Sequence, residues 1–332
     1  MTAHLYLAPA AAGKTEYVLN LVREAARDLR TTPRIVVPTY LQVRAWRLRL
    51  AEAGGAIGLR ILTFDRLYAE CLNAAGEAYT ELSEPVQYRL IRAVVDGLAL
   101  DHYAPLVTKP GFIQVLQRLA GELKAARIHR DDFAQAVDAM GGEPRLRELA
   151  QVYAAYQERL QAQGWADRAG RGWLAVEALQ ARAPSVARDW PLFVVDGFDS
   201  FTSVQLAMLG VLARRVGEML VTLTGTAGGA SRPLVHRRFN RTRARLEDAI
   251  GVTATGLPQG TSHHVPALAH LEASLFRGDA AKVGNDGALE LVEAPDRAAE
   301  VRAALRWLKA RVVEDEMQLG DVALLARSVA PY

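Results

Sequence analysis

The sequence predicts an α/β protein: a parallel sheet covered by helices and interrupted by an inserted all-helical domain. Three observations carry this. His4 to Leu19 reads as a short buried strand (Leu5, Tyr6, Leu7), a loop of small residues and a helix opening at Gly13-Lys14-Thr15. The strand–helix alternation then continues, which is the pattern of parallel strands joined by crossover helices. Strand-like runs next vanish from Ser83 to Gln163, and a wholly apolar strand ending in an acid, Pro191 to Asp196, resumes the sheet.

Taken in order, Glu16 to Leu29 carries Tyr17, Val18, Leu21, Val22 and Ala25 at helical spacing and is stopped by Thr31-Thr32-Pro33. Arg34 to Val37 is a short β-branched strand, Leu41 to Glu52 a helix, Leu59 to Leu62 a strand, and Thr63-Phe64-Asp65 leads into another helix. Within the insertion, Leu116, Leu119 and Leu123, then Leu146, Leu149, Tyr153, Tyr156 and Leu160, mark helices, with turns at Lys109-Pro110-Gly111 and Gly141 to Pro144. A helix over Trp173 to Ala181 precedes the strand that ends at Asp196. Ser203 to Val216 is then expected as a helix and Met219 to Thr224 as a strand, followed by the glycine-rich Gly225 to Ser231. A basic run comes next, and Gly251 to His264 is expected to be irregular. Strands are expected at Ala288 to Glu293 and Val322 to Ala326, flanking a helix over Asp296 to Val313 with Val301, Ala304, Leu305 and Leu308 on one face.

A chain of 332 residues, half of them hydrophobic, can bury a large core and suggests two or three domains. Formal net charge is only +3, so an acidic partner is allowed without being required. The single cysteine, Cys71, excludes an internal disulfide and reads as core filler, which fits a reducing cytoplasm. No stretch approaches the roughly 18 apolar residues of a membrane span, and no signal-like N-terminus is present, so a soluble, cytoplasmic protein is expected.

Against the phosphate-loop pattern GxxxxGK[ST], Gly13, Lys14 and Thr15 fit, and Ala8 replaces the first glycine. In such a loop backbone N–H groups at a helix start meet phosphate, Lys14 reaches the outer phosphates and Thr15 holds magnesium. The alternative is a helix N-terminus that happens to carry a lysine. Magnesium needs a carboxylate at a neighbouring strand end, and Asp196 closes the most apolar run in the chain. A plain strand-end aspartate is the other reading. The long interval from Lys14 to Asp196 exceeds what a compact small-molecule kinase needs and suits a sheet with an inserted domain.

These residues resemble the N-terminal part of a superfamily 1 helicase-like protein, closest to the AddB subunit of bacterial AddAB helicase-nucleases. The resemblance spans nearly the whole chain. It rests on Ala8 to Thr15, on Val36-Val37-Pro38-Thr39-Tyr40, on Thr63-Phe64-Asp65-Arg66-Leu67, and on Val195-Asp196-Gly197-Phe198-Asp199-Ser200 with Gln205. It implies a RecA-like P-loop NTPase fold divided as 1–82 (first part of domain 1A), 83–165 (a helical 1B-like insertion), 166–286 (the rest of 1A) and 287–332 (a truncated start of domain 2A). It implies ATP and Mg2+ held weakly or vestigially by Ala8, Gly13, Lys14, Thr15 and Asp196. Active relatives carry a glutamate as general base where this chain has Gly197, and glycine cannot take a proton. The glutamine-bearing motif expected after the strand ending at Thr224 is replaced by Gly225-Thr226-Ala227-Gly228.

The resemblance further implies single-stranded DNA contacts at Thr39, Thr63 and Phe64, an AddA-like partner as the motor, and a role in double-strand-break repair by recombination. The relatives' nuclease, with its cysteine-held iron–sulfur cluster, is not expected in these residues. Burial of Phe64 is the rival reading of that aromatic. The basic run Arg232, His236, Arg237, Arg238, Arg241, Arg243 and Arg245 has the right chemistry for DNA phosphates, though Glu247 and Asp248 follow directly and a solvated helix face is the alternative. His263, His264 and His270 lack metal-ligand spacing. Three functions stay open: a DNA-binding subunit with a degenerate nucleotide site, an active DNA-stimulated ATPase with Asp199 or another residue replacing the base, and a phosphate-loop kinase unrelated to DNA. The chain is also expected to be a fragment whose residues from Gly287 onward are the least well packed.

Overall fold

The computed structural model describes residues 2–181, 183, 185–226, 235–258, 265–285, 287–326 and 328. They fall into two units, one up to residue 263 and one from residue 264. The first unit opens with β1 (Thr2–Ala8), α1 (Lys14–Ala25), β2 (Arg34–Val36), α2 (Tyr40–Glu52), β3 (Arg60–Leu62) and α3 (Phe64–Ala74). The insertion follows as β4 (Thr80–Glu81), α4 (Glu84–Asp96), α5 (Pro110–Ala125), α6 (Arg130–Ala139), α7 (Pro144–Gln163) and β5 (Trp165–Ala166). The unit closes with α8 (Arg168–Ala181), β6 (Leu192–Val195), α9 (Ser203–Leu212), β7 (Glu218–Thr224), α10 (Arg237–Ile250) and β8 (Thr255–Gly256).

The main sheet has the order β3-β2-β6-β7-β1-β8, and every strand pair in it is parallel. Parallel strands joined by helices are buried on both faces, which is why β6 and Met219 to Val221 of β7 read as continuous apolar runs. Their side chains alternate between two cores: Phe193 and Val195 join Phe64, Leu67, Leu179 and Met208 on one face, while Leu192 and Val194 join Val18, Val22 and Trp46 on the other. Cys71 lies fully in the first of these, where burial pushes its thiol up to about 12.

The insertion has its own core, centred on Ile91, Ile113, Leu116, Tyr153, Tyr156 and Leu160. Its two ends are tied together by the short parallel pair β4–β5, Thr80 opposite Trp165 and Glu81 opposite Ala166. Directly after this pair, Asp167 accepts hydrogen bonds from Lys124 on α5 (2.5 Å), Tyr156 on α7 (2.6 Å) and the Gly170 backbone N–H (2.6 Å). Lys124 and Asp167 are 1% and 2% exposed. Burial pulls the Lys124 ammonium below its usual pKa, and the Asp167 carboxylate opposes that shift. Nothing in the one-dimensional pattern marks this buried pair.

The second unit contains α11 (Pro266–Ser274) and α12 (Arg297–Glu314), the latter started by the Asp296 side chain accepting from the Ala299 N–H at 2.7 Å. Here two expectations are corrected. Ala288 to Glu293 and Val322 to Ala326 form no strands: the first is bend and irregular backbone and the second is irregular. Leu291 and Leu325 are 98% and 91% exposed, and α12 buries no residue. A strand exists only where a neighbour satisfies its backbone groups, and the described residues of this unit supply none. Conversely, β8 lies inside Gly251 to His264, where no strand was expected. Its two residues pair with Tyr6 and Leu7 on the open side of β1. Helix ends also move inward: α1 stops at Ala25 and α9 at Leu212. Among the described residues no helix is long and apolar enough to cross a membrane.

Candidate functional site

In a parallel sheet all strands end on one edge, and the loops there hold the site. Here Ala8, Val36, Leu62 and Val195 end β1, β2, β3 and β6, so the segments starting at Pro9, Val37, Thr63 and Asp196 share that edge. Ala8 itself is a buried strand residue paired in register with Thr224. The turn that follows takes left-handed backbone at Ala11 (φ 52°) and again at Gly13 (φ 80°). Left-handed geometry is native to glycine, so the glycine kept in the motif is the one the backbone needs, immediately before α1.

Lys14, the first residue of α1, donates through Nζ to the carbonyls of Ala8 (3.0 Å) and Pro9 (2.6 Å), folding back over its own loop. Thr15 Oγ1 donates to Asp196 Oδ2 at 3.1 Å. Asp196, 3% exposed, extends β6 by one residue through its N–H to the Val36 carbonyl. The structure therefore brings together Ala8, Gly13, Lys14, Thr15 and Asp196. An uncapped helix start, an ammonium, and a hydroxyl beside a buried carboxylate form a donor set that fits a nucleotide phosphate with a divalent cation. Sequence reading missed a member of the cluster, Thr222 on β7, whose hydroxyl donates to Asp196 Oδ1.

Gly197 has φ 82°, again left-handed. A Cβ built there would stand 3.2 Å from Gln42 Nε2 and 3.6 Å from Pro38 Cδ. The position where resemblance places a glutamate is thus one where both backbone and neighbours favour glycine. Asp199, the alternative base, has its carboxylate in an ion pair with Arg238 at 3.0 Å. Gln205, the last residue of that motif, completes a capping box with Thr202 at the start of α9.

Thr39 is exposed and caps α2 in a capping box with Gln42, and Thr63 is the half-buried N-cap residue of α3. Phe64 is 5% exposed, with its ring 5.4 Å from Phe198, 5.8 Å from Tyr68 and 6.3 Å from Phe201. Of the two readings of this aromatic, burial is the one the structure shows: its ring packs into the core. The basic run separates by helical phase on α10. Arg238 is held by Asp199 and Ser200, Arg243 lies 3.8 Å from Glu247, and Arg245 donates to the Phe201 carbonyl. Arg237 and Arg241 are exposed at i, i+4 with no ion-pair partner among the described residues. Arg232, Ala227, Gly228, His263 and His264 lie outside the described residues. His270 contacts the Ala281 carbonyl, and no His/Cys/Asp/Glu group suited to a metal occurs among the described residues.

Fold and site together define a mostly parallel α/β protein with a lysine–threonine helix start set against a strand-end aspartate. The family described as ADDB, N-terminal matches residues 5–272, and the chain belongs to that family. It is similar to proteins named as the B component of an ATP-dependent helicase/deoxyribonuclease. The one from Moorella thermoacetica is 30% identical over 100% of this chain, and those from Symbiobacterium thermophilum and Natranaerobius thermophilus are 26% and 24% identical over 97% and 100% of it. The chain spans 31%, 30% and 31% of these relatives' lengths.

Proposed function

We propose that this chain is the helicase-like, DNA-binding region of one component of an ATP-dependent helicase/deoxyribonuclease, acting with an AddA-like motor in double-strand-break repair by recombination. Its nucleotide site holds Mg2+–ATP weakly and does not turn it over. The observation that carries the reading is the sequence of groups at the end of β6: Asp196 stands ready beside Thr15, and the next residue is a left-handed glycine with Gln42 over it. The strand order and the single inserted helical domain support a P-loop, superfamily 1 fold. In this reading Lys14 and the start of α1 bind phosphates, and Thr15 and Asp196 hold magnesium directly or through its water shell. Magnesium, when bound, supplies charge neutralisation of the phosphates. Without a base to take a proton from water, binding is not followed by efficient hydrolysis. The active-motor alternative is disfavoured by the Arg238 ion pair on Asp199.

On the nucleic-acid side, the exposed pair Arg237 and Arg241 is, among the described residues of the basic run, the part without an ion-pair partner and so the part offered to phosphate, and Thr39 and Thr63 sit on the loop edge of the sheet. Single-stranded DNA binding followed by fluorescence anisotropy across a salt series tests this. Replacing Arg237 and Arg241 by Ala lowers the slope of log affinity against log salt by about 0.7 per lost contact. An unchanged slope makes α10 a solvated face, and no DNA binding by the parent chain returns the kinase-like reading.

A further inference from the structure

A hydroxyl in the middle of a buried strand has to find a partner, and in β7 it finds a charged one. Thr222 is flanked by the buried apolar residues Met219, Leu220, Val221 and Leu223. The register between β6 and β7 pairs Val195 with Val221, so the next step along both strands sets Asp196 beside Thr222. On its other side Thr222 is paired with Tyr6 of β1, the strand that feeds the phosphate loop. Thr222 Oγ1 donates to Asp196 Oδ1, while Oδ2 accepts from Thr15. Each oxygen of the carboxylate thus has one threonine, and the two contacts fix its rotation about the Cβ–Cγ bond.

We infer that Thr222 is a positioning residue for the cation-holding acid: it holds the inner oxygen of Asp196 so that the outer oxygen stays presented to Thr15 and to a divalent cation bound there. This rests on the nucleotide-site reading above and adds to it a residue that the phosphate-loop pattern does not contain. Removing the hydroxyl while keeping the side chain's shape leaves Oδ1 buried without a donor, and the carboxylate is then free to turn away from Thr15. That turn weakens the hold on the cation and leaves the phosphate contacts of Lys14 and the α1 N-terminus in place. Groups that orient a metal-holding residue typically matter by about 10- to 100-fold in metal affinity.

The test uses the chain as it stands, a fluorescent N-methylanthraniloyl ATP as the probe, and Mg2+ titrated against it. Thr222→Val is expected to raise the Mg2+ concentration needed for half-maximal, Mg2+-dependent binding by about tenfold, with probe affinity in EDTA unchanged. Thr222→Ser, which keeps the hydroxyl, stays close to the parent. Should Thr222→Val fail to fold, Thr222→Ser and Thr222→Ala give the same comparison, one with and one without the hydroxyl. Equal Mg2+ midpoints with and without the hydroxyl overturn the inference and leave the nucleotide site standing. A parent chain with no Mg2+-dependent binding at all overturns both.

Discussion

Phe64 shows how one residue is spent. It follows the N-cap of α3, on the edge of the sheet where resemblance places a base-stacking aromatic, and its ring instead sits among Tyr68, Phe198 and Phe201. Those phenylalanines belong to the loop that follows Asp196, so Phe64 braces the acid's loop from below. Phe64→Ala is expected to destabilise the chain by about 3–5 kcal/mol, as large-to-small core changes do. Single-strand affinity measured well below the unfolding transition should stay close to the parent's. Urea denaturation combined with anisotropy checks both, and a stable variant that has lost DNA binding would restore the stacking role.

At the scale of elements, the parts of the fold written as local patterns were legible, and those that depend on a distant partner were not. The buried strands β1, β2, β6 and β7 and the insertion's helices announce themselves through apolar runs and helical spacing. β8 has only Thr255 and Gly256 and exists because β1 leaves an edge to pair with, a fact no local window holds. Val322 to Ala326 is the converse: apolar enough for a strand, yet unpaired among the described residues. In the site, Gly13-Lys14-Thr15 and Asp196 were readable as types at a spacing. Thr222 and Gln42 were not, because the first depends on strand register and the second on where α2 packs.

The Lys124–Asp167 pair belongs to the same scale, since it ties α5 and α7 to the segment leaving β5. Lys124→Met keeps most of the stem and removes the charge, leaving the Asp167 carboxylate buried without its ion partner. A loss of about 3–5 kcal/mol in unfolding free energy is expected. Lys124→Met with Asp167→Leu together should recover part of it, because replacing both members of a buried pair by apolar groups is far milder than breaking it. Equal losses in the single and double variants would mean that the pair is not the tie.

At the largest scale, the two-faced parallel sheet of the first unit carries the Lys14, Thr15 and Asp196 cluster and the loop-edge threonines on one edge, and an inserted helical domain enters the chain between β3 and β6. The chain spans about a third of the length of the relatives it resembles. The proposed site holds nucleotide without turning it over. Steady-state ATP hydrolysis by this chain, with and without single-stranded DNA and with Lys14→Ala as the blank, tests it most directly. Loss of a general base costs about 10²–10⁴ in rate. Turnover indistinguishable from the Lys14→Ala blank is expected in either condition. Robust hydrolysis that rises with single-stranded DNA and disappears in Lys14→Ala would contradict the claim.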